Sequence, residues 1–152
     1  MRSRRASIGF AIAGVLVLVH IGEAAAEVVF HHALDNSVLD VKPRPNEVVT
    51  DAVKEFLATG KSPYDGQEKA LADGKKIYGS NCQSCHLPDG TGRIGPSLVG
   101  DKWIRERAAT DVGMFEIVYG GAFGAKQSFA RRGMSMDDML KVIAYVRSLK
   151  KT

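Results

Sequence analysis

Between residues 50 and 149 the chain repeatedly places apolar residues three and four apart. Nowhere does it sustain the strict apolar–polar alternation of a half-buried strand. The pattern predicts helices joined by loops. In TDAVKEFLATG, Thr50 stands where a cap belongs, Val53, Phe56 and Leu57 share one face, and Gly60 stops the turn. Residues 67–78 put Ala70, Leu71, Gly74, Ile77 and Tyr78 at helical spacing. A glycine costs about 1 kcal/mol inside an isolated helix, so Gly74 predicts close approach of another helix. A third helix starts at Thr110, turns Met114, Ile117 and Val118 inward and ends at Gly120-Gly121. The last, SMDDMLKVIAYVRSLKK, is the clearest. Ser135 with Asp138 resembles a capping box, Met139, Ile143 and Val146 line one face, and Lys150 and Lys151 suit the negative end of the helix dipole.

Glycine and proline punctuate the rest. LPDGTGRIGPSLVG, residues 87–100, reads as one long loop, and residues 122–134 as another. Residues 27–45 read as an arm lying over the surface: Pro43 and Pro45 deny it a helix at its end. The fold class is therefore all-α with long glycine-rich loops.

The N-terminus changes the picture of where the chain works. MRSRRAS is basic, residues 8–21 are mostly apolar, and Ala24-Ala25-Ala26 offers the small residues of a cleavage site. The apolar run falls short of the roughly 20 residues of a membrane span. A signal peptide over 1–26 is expected, followed by an arm and short helix over 27–60 and one compact domain over 61–152. The leader holds three arginines and one glutamate, so the net charge of +4 falls to +2 without it. No basic stripe with interleaved aromatics remains, which excludes nucleic acid as an expected partner.

The chemistry concentrates in residues 82–86, CQSCH, which hold the only two cysteines. A disulfide or a thiol redox pair is one use of such spacing, but a thioredoxin-type pair follows a strand, and none is predicted here. Zinc needs four ligands as a rule, and no second ligand pair has the spacing. C-x-x-C-H is the signature of covalent c-type haem: thiols two residues apart reach the two vinyl groups on one porphyrin edge, and the adjoining imidazole binds iron. Cys82 and Cys85 are thus the expected thioether positions and His86 the proximal iron ligand. A ligating imidazole commonly donates its other N–H to a carbonyl, and the IGPSL stretch stiffened by Pro96 is the expected acceptor.

With this motif after a helix, a GP loop behind it and a capped last helix ending AYVRSL, the chain resembles class I cytochromes c over residues 66–150. LPDGTGRIGPSLVGDKW, ATDVGMFEIVYGGAFGA and LKVIAYVRSL, with KPRP and TGKSPYDG upstream, resemble the cytochrome c-L type, above all those paired with lanthanide-dependent enzymes. The resemblance implies helices around one covalently bound haem c. It implies a periplasmic single-electron carrier, not an enzyme. The donor would be a quinone-dependent alcohol or methanol dehydrogenase, and the acceptor a downstream cytochrome or oxidase. The rival reading is a haem-based binder of small ligands.

Class I cytochromes take a distal methionine from the loop before the last helix. Here GGAFGAKQSF places Lys126 at that position, with Met134 eight residues on. Lys126, Met134 or an open, water-bound iron all remain possible ligations. Trp103, Arg93, Arg131 and Arg132 are candidate partners for haem propionates. Met114 and Met139 read as core, and His31 and His32 as surface residues. Ile94, Leu98 and Ala122 are the expected apolar rim of an exposed haem edge.

Overall fold

The structure is a computed structural model that describes residues 28–100, 103–122 and 126–149. The expected leader lies outside the described residues. Five α-helices follow in order: α1 Asp51–Thr59, α2 Glu68–Asn81, α3 Gln83–His86, α4 Asp111–Gly120 and α5 Met136–Ser148, with a 3-10 turn at Glu106–Ala109 before α4. Among the described residues the sole β feature is an isolated antiparallel bridge between His31 and Val38. No described helix is long and apolar enough to cross a membrane.

The caps stand where side-chain chemistry puts them. Thr50 accepts from the Val53 amide, Thr110 from Gly113 and Ser135 from Asp138. Gly60 closes α1 in the left-handed conformation at φ 71°. The frame is the crossing of α2 on α5. Gly74 lies at that crossing, where a Cβ would run into the Lys141 carbonyl, as its place in the sequence predicts. Beside it the Tyr78 and Tyr145 rings meet edge to face, centroids 5.3 Å apart. Met139, Leu140 and Ile143 are sealed on the inner face of α5.

Three differences from the sequence reading have physical causes. α2 runs to Asn81 rather than Tyr78, and the motif occupies a separate turn, α3, because Cys82 at φ −121° breaks the helix between them. In α4 the buried positions are Gly113, Met114, Phe115 and Glu116, while Ile117 and Val118 are half-buried. Phe115 wins the inside because its ring joins Phe56 of α1, 4.8 Å away, and Phe30 of the arm, 5.6 Å away. That aromatic trio also fixes the arm: Phe30 and Leu39 are buried in the core.

Polar clamps hold the arm as well. The buried Glu116 carboxylate accepts from the His31 amide at 2.7 Å and from Arg107 Nη1 at 2.7 Å, and Arg107 Nη2 reaches Asn36 Oδ1 at 2.7 Å. His31 is therefore half-buried and tied down rather than merely on the surface. Glu47 accepts from the first amide of α5, Met136 N, at 2.6 Å and from Arg44.

Candidate functional site

The motif turn hangs from the C-terminal end of α2. Cys82 N donates to Tyr78 O at 2.8 Å, and the Cys85 and His86 amides both donate to Cys82 O, at 3.1 and 3.0 Å. This single turn places the two sulfurs on one side of the chain. Both thiols are free and half-buried. Burial pushes the Cys82 thiol above its ordinary pKa. Among the described residues no group of three or more His, Cys, Asp or Glu side chains gathers to hold a metal ion, so the zinc reading finds no ligand set.

His86 is the buried polar group of the site. Its Nδ1 donates to the Pro96 carbonyl at 2.8 Å, the acceptor expected from the IGPSL loop. That bond fixes the tautomer, so the lone pair lies on Nε2. Burial pushes the imidazole pKa down, outweighing the Pro96 bond, and keeps the ring neutral near pH 7. Behind the ring stands Gly95. A Cβ there would come within 2.8 Å of both ring nitrogens, so glycine leaves the imidazole its place.

The loop folds back onto the motif through its backbone. Gly95 N and Arg93 N donate to Cys85 O at 2.9 and 3.1 Å, and Gly92 N donates to His86 O at 3.0 Å. Arg93 is exposed and its guanidinium reaches Ser84 O at 3.2 Å. One residue of this assembly escaped the sequence reading except as a helix face. Tyr78 is 1% exposed, and its hydroxyl donates to Leu87 O at 2.8 Å, locking the residue that turns at φ 63° out of the motif. Burial pushes the Tyr78 phenol up to about 12, so it stays protonated and donates. A phenol one helical turn before the first cysteine was the available signal, since a buried tyrosine hydroxyl needs a partner.

The other expected site residues fall into two groups. Lys126 is half-buried over the Phe129 ring, its Nζ 4.5 Å from the centroid, and its charge is felt at Cys82, Cys85 and His86. Met134 packs against the core and lines a second cavity with Ile77, Asn81 and Asp138, bordered also by Phe129 and Arg132. Trp103 is half-buried beneath the Arg147 guanidinium, 5.4 Å from its ring. Arg131 and Arg132 are exposed, the latter 5.0 Å over Phe129. Ile94 is 71% exposed, while Leu98 and Ala122 are half-buried.

Known proteins share the fold. Residues 69–146 match the family model described as Cytochrome C oxidase, cbb3-type, subunit III. The crystal structure of cytochrome CL from the marine methylotrophic bacterium Methylophaga aminisulfidivorans MPT aligns with a TM-score of 0.78 at 31% identity, over 82% of this chain and 82% of that chain. The chain belongs to the cytochrome c-L family. Cytochrome cL from Hyphomicrobium denitrificans aligns with the same TM-score at 37% identity, over 83% of this chain and 76% of that chain. Cytochrome c-L of Methylorubrum extorquens is 33% identical over 123 residues, 80% of this chain, and the chain spans 62% of that relative's length.

Membership in this family means the class I cytochrome fold and a covalently bound haem c. The donor set of this cytochrome fits that group: two unpaired thiols one turn apart, an imidazole whose Nδ1 is already engaged, and a glycine cradle that fixes the ring. Cys82 and Cys85 would hold the macrocycle and His86 the iron.

Proposed function

We propose that this cytochrome is a periplasmic single-electron carrier. It takes electrons from a quinone-dependent alcohol dehydrogenase, most naturally a methanol dehydrogenase, and passes them to a downstream cytochrome or oxidase. The observation that carries the reading is the fixed His86 ring, donating from Nδ1 to Pro96 O at 2.8 Å beside two free thiols. Haem c bound there supplies a one-electron couple at its iron. The chain's own residues do the rest. Tyr78 and the amides of Gly92, Arg93 and Gly95 hold the motif turn rigid, so the ligand geometry need not rearrange when the charge on the metal changes. The neutral, oriented imidazole offers its Nε2 without a competing proton.

The exposed Ile94 in the loop that folds back on the motif supports a small apolar contact for redox partners. Such encounters bury less than about 1,200 Å² and turn over quickly. The basic, apolar and small-residue layout of residues 1–26 supports export, and the family resemblance supports the donor. Oxidised holoprotein, mixed with a quinone-dependent methanol dehydrogenase and methanol, becomes reduced as read from its visible bands. Reduction no faster than in a control lacking methanol overturns the assignment of the donor.

A further inference from the structure

Lys126 stands in an unusual setting for a lysine. Among the described residues no carboxylate pairs with it, and its Nζ stands instead 4.5 Å over the Phe129 ring. Its backbone is held in place. The Ala122 amide donates to Lys126 O at 2.8 Å, Ser128 Oγ to Tyr119 O at 2.6 Å, and the Phe129 amide to Val118 O at 3.0 Å, so the segment is pinned to the end of α4. Gly121, at φ 88°, permits that return, and a Cβ there would press on Lys126 O at 3.0 Å. Lys126 lines a cavity of about 500 Å³ with His32, Gly121 and Arg132, and its charge acts on Cys82, Cys85 and His86. Desolvation pushes its pKa down, which lowers the cost of losing its proton.

The other donors within the fold are accounted for. Met114, Met136 and Met139 are buried in the core at 6%, 2% and 0% exposure. Met134 directly precedes the Ser135 cap, and its amide donates to Phe129 O at 3.0 Å. Turning its thioether toward the motif would disturb the start of α5. His32 borders the same cavity as Lys126, its Nδ1 against Gly120.

We propose that the Lys126 ε-amine is the sixth ligand of the haem iron, opposite His86, where class I cytochromes use a thioether. The proposal rests on the covalent-haem reading above and names a ligand that reading leaves open. Ligation releases the third ammonium proton to solvent, and the freed lone pair fills the coordination position; no electron moves. An amine is a harder donor than a thioether and favours ferric iron, so this cytochrome has a lower potential than its Lys126→Met variant. With haem bound, an amine from Lys126 in addition to the His86 imidazole would close the iron to small ligands.

The test uses the ferric and ferrous holoprotein with Lys126→Met, Lys126→Ala and Lys126→Arg. The expected wild type is low-spin by electron paramagnetic resonance, lacks the weak red band of sulfur-ligated ferric haem, and binds carbon monoxide slowly when reduced. Lys126→Met gains the red band and a raised potential. Lys126→Ala becomes high-spin and binds carbon monoxide rapidly. Lys126→Arg behaves like Lys126→Ala, because guanidinium keeps the charge but offers no lone pair. A sulfur band in the wild type assigns the position to Met134 and overturns the proposal. A high-spin wild type that binds carbon monoxide rapidly does so too, and favours the small-ligand rival. Unchanged spectra in all three variants make Lys126 a bystander. A mature chain with no Soret absorption overturns both this proposal and the electron-carrier reading, whereas a Soret band with unaltered variants overturns this one alone.

Discussion

Two glycines of the same helix, Gly74 and Gly79, respond to alanine with opposite signs. Intrinsic propensity favours alanine at both by about 0.8–1 kcal/mol. At Gly79 nothing opposes the gain, since the nearest atom to a new methyl is Gln83 Oε1 at 3.9 Å, an ordinary contact. Gly79→Ala is therefore expected to stabilise by about 0.8 kcal/mol. At Gly74 the methyl meets the Lys141 carbonyl carbon at 2.8 Å, its oxygen closer still, and Tyr145 Cβ at 3.0 Å. The obstacle is backbone, so α2 and α5 must separate. Overpacking costs roughly 1–3 kcal/mol, and a gap of 0.5–1 Å forfeits a quarter to a half of each dispersion contact along the crossing. The upper end applies to an immovable carbonyl, which leaves Gly74→Ala destabilised by about 2 kcal/mol after the propensity gain. Urea unfolding of the holoproteins followed by circular dichroism reads the difference, with the slope m unchanged. In a domain this size each kcal/mol moves the melting temperature by roughly 3–6 °C. A Gly74→Ala protein as stable as wild type would refute the crossing as described.

Gly95→Ala drives a methyl into the His86 ring and breaks the Nδ1 bond to Pro96 O; second-shell losses of this kind cost roughly 10–100-fold in metal affinity. The measurable result is a shifted visible spectrum or poor haem retention, and an unchanged spectrum counts against the cradle. Glu116→Ala leaves the half-buried Arg107 without its carboxylate and the His31 amide without its acceptor. We expect a loss of about 2–4 kcal/mol in urea and new protease cuts between residues 28 and 40; a resistant arm would refute the clamp. For Asp137, burial alone would raise the carboxyl pKa, but hydrogen bonds from Lys141, Tyr64 and Thr50 hold it below the ordinary 3.8. A depressed folded pKa contributes stability above the unfolded value and loses it as pH falls through the folded one. The stability curve therefore bends downward below about pH 4, and Asp137→Asn flattens that limb; a variant with the same acid limb as wild type contradicts the assignment.

Local chemistry was readable from the sequence where a single side chain decides it. Thr50, Thr110 and Ser135 cap because their oxygens reach the third amide onward, and Pro96 offers its carbonyl because the loop around it cannot become a helix. Gly74 was legible through its cost. The motif itself named the cofactor that the family carries. What needed the structure depends on contacts far apart in the chain. Phe115 and Glu116 are buried more deeply than Ile117 and Val118, which pack against the edge of the core, because the arm brings Phe30 and the His31 amide to them. No periodicity within residues 110–121 contains that information. The partner of Tyr78 and the cradle at Gly95 likewise exist only once the loop has folded back on the motif.

The account stands on covalent haem at Cys82 and Cys85, and intact mass under denaturing conditions tests it most directly. Protein matured in a host that attaches haem to exported chains is expected to weigh one haem more than its polypeptide, and the tryptic fragment spanning residues 77–93 to carry the whole excess. A mass equal to the polypeptide alone, or an excess on any other fragment, would contradict it.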